Sequence, residues 1–171
     1  MGLSPYHVLV HVIRPALTAL GPRFNSPAAE RLLLGTGAHE SGGFRYLIQL
    51  PNGPAVGLWQ MEPFTFRDLR DRVVAGNEPW QMELRKGVMA LYTHVPPQAN
   101  DLIANLPLAA AFCRIKYASD PHPLPDADDV QALANYWKRV YNTPAGKGKP
   151  SDFIDAWQKY VIPALDADKE G

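Results

Sequence analysis

Along the segment SPYHVLVHVIRPALTALG, apolar residues recur at helical spacing: Val8, Leu9, Val12, Ala16 and Leu20 share one face, and His7, His11, Arg14 and Thr18 share the other. Ser4 as N-cap, Pro5 in the first turn and Gly21 after the last turn bound this amphipathic helix, with a kink predicted at Pro15. A second start signal is NSPAAE, with Ser26 as cap and Pro27 at the first helical position, running into ERLLLGTGAHES. The pattern then changes. FRYLIQLPNGPAVGLWQM holds two short β-compatible runs either side of Asn52-Gly53, a dipeptide that predicts a hairpin turn. Helical periodicity returns in FRDLRDRVVAG, with Thr65 and Asp68 as a capping box. It continues in PWQMELRKGVMALYTHV, NLPLAAAFCRIKYAS, DADDVQALANYWKRVYNT and SDFIDAWQKYVIPAL. The sum is a fold of class α+β, mainly α: one domain over residues 1–171 with a small β-hairpin after the second helix.

Charge narrows the range of partners. Seventeen basic and seventeen acidic side chains cancel, so no global field draws the chain to nucleic acid, and a polymeric ligand has to be held locally by shape and hydrogen bonds. The single cysteine, Cys113, lies in the apolar run LPLAAAFCRI and reads as a small core residue. His7, His11 and Arg14 interrupt the first apolar stretch, so no secretory signal is expected, and no segment is long enough to span a membrane. The chain is therefore expected to be made in the cytoplasm.

The residues with the clearest chemistry surround AHESGG. Stepping back from Glu40 along its helix gives Thr36 or Gly37, then Leu33 and Ala29, so Glu40 projects from the apolar stripe and away from Glu30 and Arg31. A carboxyl group at the edge of a core loses hydration, which favours its neutral form and suits a general acid. Gly42 and Gly43 end the helix and leave space beside Glu40. The plainer alternative is a solvated glutamate near a glycine-capped helix end. A returning hairpin arm brings GLWQ back towards Glu40, supplying Gln60 for hydrogen bonds and Trp59 as a flat face for a sugar ring.

Glu40-Ser41, then Phe44, then Gly57-Leu58-Trp59-Gln60 resembles the lytic transglycosylase branch of the lysozyme-like superfamily, whose pattern is Glu-Ser followed by Gly-Leu-Met-Gln. The resemblance covers residues 26 to 61 and departs from the pattern at Trp59. It implies a helical domain with a small β element between the two motifs. It also implies cleavage of the β-1,4 bond between N-acetylmuramic acid and N-acetylglucosamine in peptidoglycan, with Glu40 as catalytic acid and base. Ser41 and Gln60 take the places of the family's substrate-contacting residues, and Tyr141 and Asn142 those of a later Ala-Tyr-Asn-like element. The segment YWKRVYNTPAGKG is similar to sequences of tailed-bacteriophage virion proteins. That likeness implies other virion proteins as partners beside the peptidoglycan glycan strands, and delivery to the bacterial cell wall as a virion component.

A hydrolytic outcome calls for a second carboxylate, for which Glu62 is the candidate, with Asp68 further along the chain. On an extended strand Glu62 would share Gln60's face. No cofactor is called for. The His7/His11 pair has no third ligand nearby in sequence, so no metal is expected. Two other readings stand beside the enzyme: a structural tail or capsid protein retaining a lysozyme-like scaffold, and a non-catalytic glycan-binding module.

Overall fold

The computed structural model describes residues 2–51, 53–92, 96–143 and 146–170, and among these every regular element is a helix. Helix α1 covers residues 5–20, with a π turn over Leu9–Ile13 between Pro5–Val8 and Arg14–Leu20. Helix α2 is Pro27–Glu40, and α3 joins Pro63–Asp68 to a π turn, Leu69–Val74. Helix α4 is Pro79–Leu91, α5 the single turn Asp101–Ala104, and α6 Leu106–Ala118. Helix α7 runs over residues 130–142 and α8 over residues 150–170, each with an internal π turn, at Lys138–Asn142 and at Trp157–Val161.

Most starts follow from local chemistry. Ser26 Oγ accepts from the amide of Ala29, Asn105 Oδ1 from that of Leu108 and Asp129 Oδ1 from that of Ala132, each satisfying an orphan donor of a first turn. Ser4 makes no such side-chain bond. Thr65 is no cap either: α3 starts two residues earlier, at Pro63, whose fixed φ and missing N–H suit a first turn. The helix passes through Pro15 by another device. The Arg14 amide bonds to Leu9 O, five residues back, and this wider turn frees the carbonyl that the proline ring would otherwise crowd. The same arrangement recurs before Pro163, where the Ile162 amide bonds to Trp157 O.

One hydrophobic cluster draws from all eight helices. Helix α6 is at its centre: every residue from Leu108 to Ile115 is buried, Cys113 included, and it contacts α1, α2, α3, α4, α5 and α7. On α1 the predicted apolar face is buried, extended by Ile13 and Leu17, while His7, His11 and Thr18 face outward. Arg14 is tied to Glu30 of α2 at 3.1 Å and to Asp168 of α8 at 2.6 Å. Arg70–Asp71 and Arg72–Asp68 pair along the surface of α3. No described helix is long and apolar enough to cross a membrane.

Helices α1 and α4 approach closely at Gly87. A Cβ there would lie 2.6 Å from Ala19 O and 2.7 Å from Leu20 Cα, backbone atoms that cannot rotate aside. Gly87→Ala is therefore expected to destabilise the protein by about 1–3 kcal/mol despite alanine's better helix propensity. Urea unfolding checks this, and an unchanged midpoint contradicts the close approach.

The segment after α2 departs from expectation. The α+β, lysozyme-like fold with a β-hairpin before Gly57–Gln60 is overturned, because no strand occurs among the described residues. Asn52 of the expected turn lies outside them. Pairing is limited to two isolated antiparallel bridges, Ile48 with Val56 and Val56 with Met61. Pro51 and Pro54 have no N–H to extend a ladder. Among the described residues, pairing across the expected turn stops at two backbone bonds, Gln49 N–H to Ala55 O at 3.0 Å and Gly57 N–H to Leu47 O at 2.8 Å, while Val56 between them donates to Met61 O on its other side. The left-handed backbone of Gly57 (φ 75°) and Gln60 (φ 45°) then closes a tight loop where a returning strand was expected.

Candidate functional site

Glu40, the last residue of α2, reaches into a cleft of 540 Å³ together with Lys116 of α6, Gln60 and Glu62 of the following loop, and Tyr141 and Asn142 at the end of α7. The glycine-rich stretch 146–148 closes one side. Four of the residues singled out from sequence, Gln60, Glu62, Tyr141 and Asn142, thus share a cleft with Glu40.

Glu40 is only partly covered, so its side chain reaches the cleft, yet protein surrounds its carboxyl group. Burial pushes its pKa up from 4.5 to about 7, against the opposing pull of a hydrogen bond from Trp137 and of the Lys116 charge. Trp137 Nε1 donates to Glu40 Oε1 at 3.1 Å. The Trp137 ring also packs edge-on against His39, with centroids 4.5 Å apart, and burial holds His39 below its ordinary pKa. Lys116 is lowered too, chiefly by burial, with Cys113, Glu40 and Glu62 opposing. A carboxyl poised at neutrality beside a dehydrated ammonium can give or accept a proton without a large change in pH.

The remaining partners form a continuous relay between elements. Lys116 Nζ donates to Tyr141 O at 2.7 Å and lies 4.2 Å from the centroid of the same ring. The Tyr141 hydroxyl donates to Trp59 O at 2.7 Å, and Trp59 Nε1 donates to Leu33 O at 2.9 Å. These bonds join α6, α7, the 57–62 loop and α2, fixing the walls of the cleft. Gln60 is held by bonds from its Nε2 to Gly57 O at 2.8 Å and Tyr46 O at 3.3 Å, which leaves its carbonyl oxygen open to accept. Asn142 Oδ1 accepts from Lys138 Nζ at 2.8 Å.

Two of the sequence candidates do not face the cleft. Trp59 is 1% exposed, and its indole packs in the core beside Gly37 and not against a ligand. Ser41 is fully buried: its Oγ donates to Gly37 O at 2.6 Å and accepts from the Phe44 amide at 2.9 Å, terminating α2. The space expected beside Gly42 and Gly43 is filled by the rings of Tyr46 and Tyr160. Glu62 is exposed at the cleft's edge. Lys116 and Trp137 are the neighbours of Glu40 that sequence reading did not place beside it. A lysine interrupting the apolar run AAAFCRIKYA was the available signal for the first; nothing in ANYWKRV distinguishes Trp137 from an ordinary core aromatic.

No group of three His, Cys, Asp or Glu side chains placed to hold a metal occurs among the described residues. Comparison with protein-family models, with curated proteins and with solved structures gives no match. Together with the all-helical architecture, these findings overturn the resemblance to lytic transglycosylases and the lysozyme-like, peptidoglycan-cleaving enzyme it implied. The alternative of a virion structural protein on a lysozyme-like scaffold loses the same support. Of the residues in these short motifs, Glu40 and Gln60 line the cleft, whereas Ser41 is in the core, as is Trp59 at the position where the pattern departs.

Proposed function

We propose that the protein binds a neutral, polyhydroxylated chain in the Glu40 cleft, that the neutral Glu40 carboxyl donates a hydrogen bond to a ligand oxygen, and that glycan strands of peptidoglycan are the ligand class. On this reading the protein works at the bacterial cell wall. The carrying observation is the Glu40 carboxyl, raised to about 7 and reachable from the cleft. Around it Gln49, Gln60, Thr65, Asn142 and Thr143 supply uncharged donors and acceptors, the complement of hydroxyl and N-acetyl groups. Tyr141 and Met61 lie almost fully buried beneath the cleft and form its floor.

In its neutral form Glu40 donates a hydrogen bond that the ionised form cannot make. Calorimetric titration with a soluble chito-oligosaccharide between about pH 5 and about pH 9 is expected to show saturable binding that is constant below about 7. Above that value, binding weakens by about tenfold per pH unit. Glu40→Gln, which does not titrate, should give a flat profile. Absence of saturable binding at the acid end, or an unaltered profile in the variant, refutes the reading.

A further inference from the structure

On the opposite end of α2 from Glu40, a second cleft of 330 Å³ lies between the start of that helix and α6. Arg114 of α6 lines it. This arginine is 7% exposed, and it has no carboxylate partner among the described residues. Its Nε donates to Phe24 O at 2.9 Å, while its buried Nη1 has no hydrogen-bond partner. The guanidinium lies 5.7 Å from the centroid of the Phe24 ring, but that contact supplies neither a counter-charge nor an acceptor for Nη1, and a buried charge with an unused donor is costly.

The rest of the cleft is suited to an anion. Ser26 caps α2 there, accepting from the Ala29 amide, so its own hydroxyl proton remains available to donate. The 14-residue helix α2 directs the positive end of its dipole at the same place. Arg23, exposed on the rim, adds a second guanidinium. Asp120 is the acidic residue of the lining, and Arg139 neutralises it through contacts of 2.6 and 3.1 Å. No lining residue is shared with the Glu40 cleft.

We infer that this cleft is a phosphate-binding site, in which Arg114 and Arg23 grip the oxyanion and Ser26 with the start of α2 orients it. Planar guanidinium forks match the oxygen spacing of phosphate, and a helix start adds backbone polarity of the right sign. Inorganic phosphate and an esterified phosphate share this chemistry, and the cleft has volume for either.

The test is calorimetry and thermal unfolding of the full chain with inorganic phosphate, at ionic strength held constant with chloride, and with glycerol phosphate in a parallel arm. Saturable binding and a rise in Tm with phosphate over chloride are expected. Arg114→Gln should weaken binding by at least about tenfold. Because that residue is buried and its variant can fail to fold, Arg23→Gln provides a surface variant, expected to fold normally and to bind several-fold more weakly. Tighter binding of glycerol phosphate identifies an esterified ligand, and tighter binding of inorganic phosphate a free one; either supports the site. The proposal is overturned if neither anion binds saturably to the wild type, or if Arg23→Gln and a folded Arg114→Gln bind as the wild type does.

Discussion

Replacing Glu40 with glutamine is expected to stabilise the protein by roughly 3 kcal/mol at about pH 8 and to change its stability little at about pH 4. The carboxyl's pKa is 4.5 when unfolded and about 7 in the folded protein, raised mainly by burial. A raised folded-state pKa gives stability that is fully present below the unfolded value and is lost as pH rises through the folded one. Below about 4.5 both states hold the proton, so wild type and variant are alike. Above about 7 the wild type carries a dehydrated carboxylate that the unfolded chain would hydrate, and the variant does not. Glutamine keeps an oxygen to accept from Trp137 Nε1, so the main change is the loss of titration. Urea unfolding of both proteins across this range measures the difference directly. Parallel pH profiles would show that burial does not perturb the group. The comparison isolates Glu40 from other titrating groups such as Asp120, whose pKa of about 2, held down first by Arg139, shifts stability the other way at acid pH.

Trp59→Ala is expected to cost about 3–5 kcal/mol, the range for truncating a large buried aromatic. The indole is 1% exposed, fills space beside Gly37 and donates to Leu33 O at the heart of α2. Its removal leaves a cavity and takes away the side-chain bond to Leu33 O, a carbonyl in the interior of α2. The position was read from sequence as a platform for a sugar ring. A platform residue would lower ligand affinity with little effect on unfolding; a core residue lowers the unfolding free energy first. Denaturant unfolding separates the two, and a loss of under about 1 kcal/mol would contradict the core placement.

The helical part of the fold was legible because its signals are local. Ser26-Pro27 marks the start of α2, and the spacing of Val8, Leu9, Val12 and Ala16 gives the inward face of α1. The error over residues 44–61 has a definite source. Asn52-Gly53 and the apolar runs around it carry a hairpin signal, and Gln49 and Gly57 do bond across to Ala55 O and Leu47 O, but Pro51 and Pro54 lack the amides that would extend this pairing into strands. The same short motif misled on the site. Adjacency in sequence suggested that Ser41 and Trp59 act beside Glu40, yet in the folded chain both point into the core, while the residues that tune Glu40 come from α6 and α7. Lys116 and Trp137 are 76 and 97 positions away from Glu40 (116 − 40 and 137 − 40), and no local pattern reports a contact at that separation. Periodicity did locate Glu40 on the apolar stripe of α2, which is the physical origin of its raised pKa.

The central claim is that this one carboxyl is dehydrated while still open to the cleft. Carboxyl-carbon NMR titration of protein labelled at glutamate tests it without any ligand. The account predicts one glutamate resonance with a midpoint near about 7, absent from the Glu40→Gln spectrum. A midpoint for Glu40 at about 4.5, the ordinary value, would contradict it.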